Sequence, residues 1–233
     1  MPQSSQTPSK LWYLKHINLF SAFSQSELQE MNRITHMEEI KKRQPIYLPG
    51  DPSNTVYLLK KGRVKISSVA ANGRVVTFEI LEPGEIFGEL EVLEDSPRES
   101  YAETLDDTLI CAISREDFDG YLRNHPDMAL KLTKLIGLRL RKIQNRVEDL
   151  VFRDVPARIA HLLLELQTSE GVQEGAGIRI RAKLTHQEMA NLIGSSRETV
   201  SAILGQFRDR GFIQTKARSI IILDSNGLSQ LIS

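Results

Sequence analysis

The sequence has little of several things, and each scarcity excludes something. There is one cysteine, Cys111, and one tryptophan, and the formal net charge is zero. A single thiol excludes an intramolecular disulfide, a cysteine-rich metal cluster and a four-cysteine iron–sulfur centre. Cys111 lies in the strand-like run LICAIS, where it reads as a small buried hydrophobe, with a reactive thiol as the other reading. No apolar run reaches the roughly 18 residues of a membrane span, so none is expected. The opening MPQSSQTPSKLWYLKH has no long apolar core before a small-residue cleavage site. No secretory leader is therefore expected, and the cytoplasm is the expected location. Residues 45–114 hold no histidine, which removes the clustered ligands of a cupin-like metalloenzyme. The five histidines, His16, His36, His125, His161 and His186, are scattered along the chain, so no metal site is expected and haem is disfavoured. No nucleophile–base set, phosphate loop or metal-ligand spacing points to an enzyme.

What is present is ordinary in amount and uneven in place. A chain of 233 residues exceeds one usual core and suggests two domains. From Gly177 onward there are 8 basic and 4 acidic residues, so the last quarter is the basic part, as a phosphate-binding surface needs. Residues 1–10 are polar and expected to be disordered. Leu11 to Ile40 has helical spacing, with a start signal at Ser24.

From Pro45 the period shortens. Strand-like runs follow at Pro45–Leu48, Thr55–Leu59, Arg63–Val69, Val75–Leu81, Tyr101–Leu105 and Leu109–Ser114, punctuated by turn residues. Asn72-Gly73 is a hairpin signal because both turn positions favour positive φ. The spacing predicts a barrel or a double-sheet jelly roll. Ser114 can then cap a short helix that ends near His125-Pro126. A long helix is predicted over Pro126–Phe152, with proline in its first turn and Asp127 near the positive end of its dipole. Leu132, Ile136, Leu140, Ile143, Val147 and Leu150 are spaced as a coiled-coil seam. Such a seam can pack on its own domain or pair two copies of the chain. Asp154-Val155-Pro156 breaks the helix. A new helix is predicted over Ala157–Leu166, and a glycine-rich loop over Thr168–Gly177.

Residues 184–213 read LTHQEMANLIGSSRETVSAILGQFRDRGFI. Thr185 and Glu188 form a capping box, Gly194 can end the first helix, and Ser195 and Ser196 can cap a second. Val200, Ile203, Leu204 and Phe207 give that second helix a buried face. A strand-like start, a basic turn through Lys216 and Arg218, and the apolar run Ser219–Leu223 make a wing. Together these predict a winged helix-turn-helix. Its second helix can enter the major groove of double-stranded DNA. Arg197 can fork onto guanine and Glu198 can accept from a cytosine amine. Thr185, Gln187, Ser196, Thr199, Lys216 and Arg218 would hold phosphates.

On these residues the sequence resembles the cyclic AMP receptor protein/fumarate–nitrate regulator family of bacterial transcription regulators. The motifs carrying the likeness are Gly194-Ser-Ser-Arg-Glu-Thr-Val200, Phe152-Arg-Asp-Val-Pro-Ala-Arg-Ile159 and Pro83-Gly-Glu-Ile-Phe-Gly-Glu-Leu90. The resemblance implies an α+β chain in three parts. A β-roll sensor of the cyclic-nucleotide-binding type with N-terminal helices takes 1–125, a dimerisation helix and hinge 126–153, and the winged helix-turn-helix 154–233. It also implies a homodimer, an inverted-repeat operator, effector-driven reorientation and RNA polymerase as a partner. In the resemblance, Gly88, Glu89 and Leu90 match the turn that meets ribose, and Arg98 matches the arginine that meets a cyclic phosphate. Glu99 stands where a serine is expected, and Ile143 and Gln144 replace the hydroxyl residues that bind the base. These departures disfavour cyclic AMP and leave another small ligand or none. Ala202 replaces a second base-reading arginine. The alternative function is a cyclic-nucleotide-binding module that controls a protein partner.

Overall fold

The strand-rich and helix-rich halves of the sequence fold as two units, one ending at Leu138 and the other beginning at Arg139. The structure is a computed structural model that describes residues 25–216 and 219–232. The expectations for residues 1–24 and for Arg218 lie outside the described residues.

The first unit opens with α1 (Gln25–Ile34) and continues through β1 (Thr35–Ile40), β2 (Pro45–Tyr47), β3 (Thr55–Lys61), β4 (Val64–Val69), β5 (Val75–Leu81) and β6 (Ile86–Phe87). A short helix α2 (Glu89–Glu94), strands β7 (Tyr101–Thr104) and β8 (Thr108–Ser114), and helix α3 (Arg115–Asn124) follow. The strands form two antiparallel four-stranded sheets, ordered β1-β8-β3-β6 and β2-β7-β4-β5. At the β4–β5 turn, Gly73 has φ +78 and the N–H of Arg74 donates to Asn72 Oδ1 at 3.1 Å. This is the conformation for which Asn-Gly is suited. Tyr47, Leu59, Val64, Leu81, Phe87 and Ile110 fill the space between the sheets.

Strand β8 is buried on both faces. Alternation sends Ile110 into the roll and Cys111 outward, under Met31, Phe118, Met128 and Leu132 from the covering helices. Cys111 is therefore a buried hydrophobe. Helix α3 starts as its sequence predicts, with Ser114 accepting from the N–H of Asp117 at 3.1 Å. The long helix α4 (Pro126–Phe152) follows it, and its first half belongs to this unit.

In the second unit, the Asp154 carboxylate caps α5 (Val155–Glu170) by accepting from Ala157 N at 2.9 Å. Then come β9 (Gly171–Glu174), β10 (Gly177–Ile180), α6 (His186–Ile193), α7 (Arg197–Asp209), β11 (Ile213–Lys216), β12 (Ser219–Ile222) and α8 (Ser225–Ser229). The four strands form one sheet, ordered β11-β12-β10-β9. Ile159, Leu163, Ala190, Val200, Phe207 and Ile222 are central to its core.

Three local expectations are corrected. Thr35–Ile40 is a strand, not the end of a helix, because all six residues pair in register with β8. Thr168–Gly177 is not a loop. Helix α5 runs to Glu170, and a tight hairpin through Gly175 pairs β9 with β10. Glycine at 177 marks close packing there, since a Cβ would sit 2.7 Å from the Ile222 carbonyl oxygen. The seam is also shorter than its spacing suggests. Leu132 is 3% exposed in the core of the roll unit, and Ile136 packs against that core.

Candidate nucleic-acid interface and effector site

The reading surface is built by two caps and one glycine. Thr185 Oγ1 accepts from Glu188 N at 3.1 Å while the Glu188 carboxylate accepts from Thr185 N at 2.5 Å, closing the capping box of α6. Gly194 ends α6 at φ +65, a left-handed conformation that costs other residues about 1–2 kcal/mol. Ser196 then caps α7, its Oγ accepting from Thr199 N at 3.1 Å. Val200, Ile203, Leu204 and Phe207 turn inward, which leaves Arg197 and Glu198 exposed on the first turn. Arg197 has no hydrogen bond or ion pair to its guanidinium among the described residues. The Glu198 carboxyl is held below the usual carboxylate range, first by its own backbone N–H, then by the Ser196 hydroxyl, with Arg197 adding to both. At neutral pH the first turn therefore presents a five-donor fork beside a pure acceptor.

The residues expected to hold phosphates are mostly engaged in fixing these helices. Besides the Thr185 and Ser196 caps, Gln187 Nε2 donates to Asn191 Oδ1 at 2.8 Å. Thr199 Oγ1 lies 2.9 Å from Ser196 Oγ. Lys216 is exposed at the end of β11, with Nζ 3.7 Å from Glu174 Oε1. Sequence reasoning missed one tie between the helices. Ser201 Oγ donates to the Arg197 carbonyl at 2.9 Å and accepts from His186 Nδ1 at 2.7 Å. Only the finished crossing of α6 and α7 brings these two side chains together.

In the roll, Arg98 is 2% exposed. Its Nη1 donates to the Gly88 carbonyl at 2.7 Å and to Glu91 Oε2 at 3.3 Å, and its Nη2 donates to the Thr55 carbonyl. The guanidinium carbon stands 4.4 Å from the centre of the Tyr47 ring, a cation–π distance. Burial holds the Tyr47 phenol well above its ordinary pKa. Glu89 and Glu91 are buried beside this arginine, while Leu90 and Glu99 are exposed. A Cβ on Gly88 would approach Arg98 Nη1 to 2.9 Å, so glycine there makes room for the guanidinium. Ile143 and Gln144 lie on the second half of α4, in the other unit. On that half, Leu140, Ile143, Val147 and Leu150 are 56%, 47%, 53% and 51% exposed. They form an apolar stripe with nothing over it in the single chain.

With this geometry in place, comparison with known proteins is informative. A family model described as a cyclic nucleotide-binding domain matches residues 37–125, and one described as a Crp-like helix-turn-helix domain matches residues 157–231. A CRP-like cAMP-activated global transcriptional regulator of Mycobacterium tuberculosis is 31% identical over 93% of this chain and 97% of its own. The chain belongs to the cyclic AMP receptor protein family. It is thus a DNA-binding transcription regulator of that family, whose members are regulators and not enzymes. A second family member, the global nitrogen regulator of Synechocystis, is 33% identical over 83% of this chain and 87% of its own. Among solved structures of the family, a CooA mutant from Carboxydothermus hydrogenoformans superposes with a TM-score of 0.80 at 25% identity, covering 97% of each chain. Among the described residues, no helix is long and apolar enough to cross a membrane.

Proposed function

We propose that this regulator acts as a homodimer, reading an inverted-repeat operator with two copies of the first turn of α7. The observation that carries the reading is the exposed pair Arg197 and Glu198 on a rigid, doubly capped turn. The uncovered stripe Leu140, Ile143, Val147 and Leu150 supports pairing of two chains. Two recognition helices would then reach successive major grooves about 34 Å apart. RNA polymerase as a partner and the cytoplasm as location belong to the same reading, by likeness to the family.

The roll would be gated by a small ligand other than cyclic AMP. The cAMP activation named for the mycobacterial relative does not transfer readily. Arg98, the one guanidinium at the matching place, is committed to Glu91 and two carbonyls. A cyclic phosphate would have to displace these contacts beside two buried carboxylates. Glu99 is exposed, so this argument rests on Arg98 and not on repulsion by Glu99. Iron–sulfur sensing is excluded by the single cysteine, and nothing groups the histidines for haem.

Selection of duplexes from a random pool tests the DNA reading, with sedimentation of the wild type and Ile143→Glu testing the dimer. A symmetric consensus and a dimer that Ile143→Glu turns into monomer are expected. Absence of any consensus would overturn the proposal. Stabilisation by micromolar cyclic AMP in a thermal melt would overturn the ligand assignment.

A further inference from the structure

We infer that Asp149 is a positioning residue that fixes how the reading helix is held against the long helix. The inference rests on the dimeric reading above. Asp149 lies in the last turn of α4, and its side chain is only 15% exposed. Its Oδ2 lies 2.6 Å from His161 Nδ1 on α5. Its Oδ1 accepts from Arg153 Nη1, and its backbone carbonyl accepts from Arg153 N at 3.1 Å. One residue therefore joins α4, the two-residue linker Arg153-Asp154 and α5.

The next residue extends the tie to the DNA-reading turn. A Cβ placed on Gly194 would come within 3.0 Å of Leu150 Cδ2, so the end of α4 touches the turn that launches α7. Leu192 and Ile193 line the same groove, together with Arg146 and Arg158. Leu150 also closes the exposed stripe proposed to pair two chains. Asp149 thus stands between the pairing surface and the reading surface, on the one segment where a two-residue linker could otherwise bend. Opposite charges and hydrogen bonds at an 85%-covered carboxylate are strong enough to set such an angle. With the angle set, two heads meet two half-sites at one spacing. With it loose, each head still reads its own half-site.

The test separates registration from reading. Binding is measured to the selected inverted repeat, to duplexes with a spacer one base pair longer or shorter, and to a duplex with one half-site scrambled. Asp149→Ala should bind the inverted repeat about tenfold more weakly, leave single half-site binding unchanged and flatten the spacer preference. His161→Ala, a milder change at a partly exposed side chain, should do the same. The double variant should be no worse than either single one, because both remove one interaction. Equal losses on the half-site and the inverted repeat, no loss on either, or additive losses in the double variant would overturn the inference. Wild-type protein that binds neither duplex would overturn the dimeric reading itself, and this inference with it.

Discussion

In the roll, Arg98 is enclosed by two carbonyls, a carboxylate and an aromatic ring. In the reader, Arg197 extends from a helix end with no partner for its guanidinium. The resemblance assigns an anionic ligand to the first arginine and a base to the second. The two environments give these side chains different duties. Arg98 has been desolvated, and its charge is acceptable inside only because Glu91 and the carbonyls replace water. It holds the turn from Gly88 against β3 and is part of the fold. Arg197 keeps its water until DNA replaces it. An arginine kept free at a rim is a tool for recognition, and one already saturated in a core is a strut.

The largest effect expected from this contrast is on stability. Arg98→Met should leave the Glu91 carboxylate buried without its partner and destabilise the protein by about 3–5 kcal/mol. Urea unfolding of the whole chain measures it. Adding Glu91→Leu should recover much of the loss, since a buried pair replaced by apolar residues is often near neutral. A loss below about 1 kcal/mol would mean that Arg98 is not a strut, and that the roll can release it to a phosphate at little cost.

Sequence spacing revealed much of the fold because capping and turn chemistry are local. Ser114, Thr185, Ser196 and Asp154 cap helices in the structure through side-chain oxygens that accept from nearby backbone N–H groups. Asn72-Gly73 and Pro126 likewise act over a few residues. What escaped was set by distant partners. Thr35–Ile40 becomes a strand because β8 offers it six pairing positions 73–78 residues away along the chain. Gly171 and Gly177 looked like loop residues, yet serve close packing within a hairpin sheet. Leu132 has the same heptad position as residues farther along α4, but a roll lies under it. Arg197 and Glu198 were legible because a helix N-terminus is local. The saturation of Arg98 was not, since Thr55, Gly88 and Glu91 converge only after the roll closes.

The second prediction tests the other side of the contrast. Arg197→Ala should leave unfolding stability within about 0.5 kcal/mol, as surface substitutions usually do. It should lose about 1–3 kcal/mol of discrimination at one base pair in each half-site, and little elsewhere. Binding to a panel of operators with single substitutions measures this. An equal loss on every sequence would make Arg197 a phosphate contact and remove it from base reading.

The smallest effect is expected at Lys216, which is intermediate between the two arginines. Its ammonium is exposed and lies 3.7 Å from Glu174, whose other oxygen accepts from Arg179 Nε at 2.5 Å. An exposed pair of this kind contributes about 0–1 kcal/mol, so a phosphate can take Lys216 from Glu174 at small cost. Lys216→Ala should weaken binding to all duplexes alike and lower the slope of log affinity against log salt by about 1. Glu174→Gln should act in the opposite direction and tighten binding slightly at low salt. If Lys216→Ala instead changed the preferred sequence, the wing would be reading bases, and the division between a base-reading helix and a phosphate-holding wing would fail.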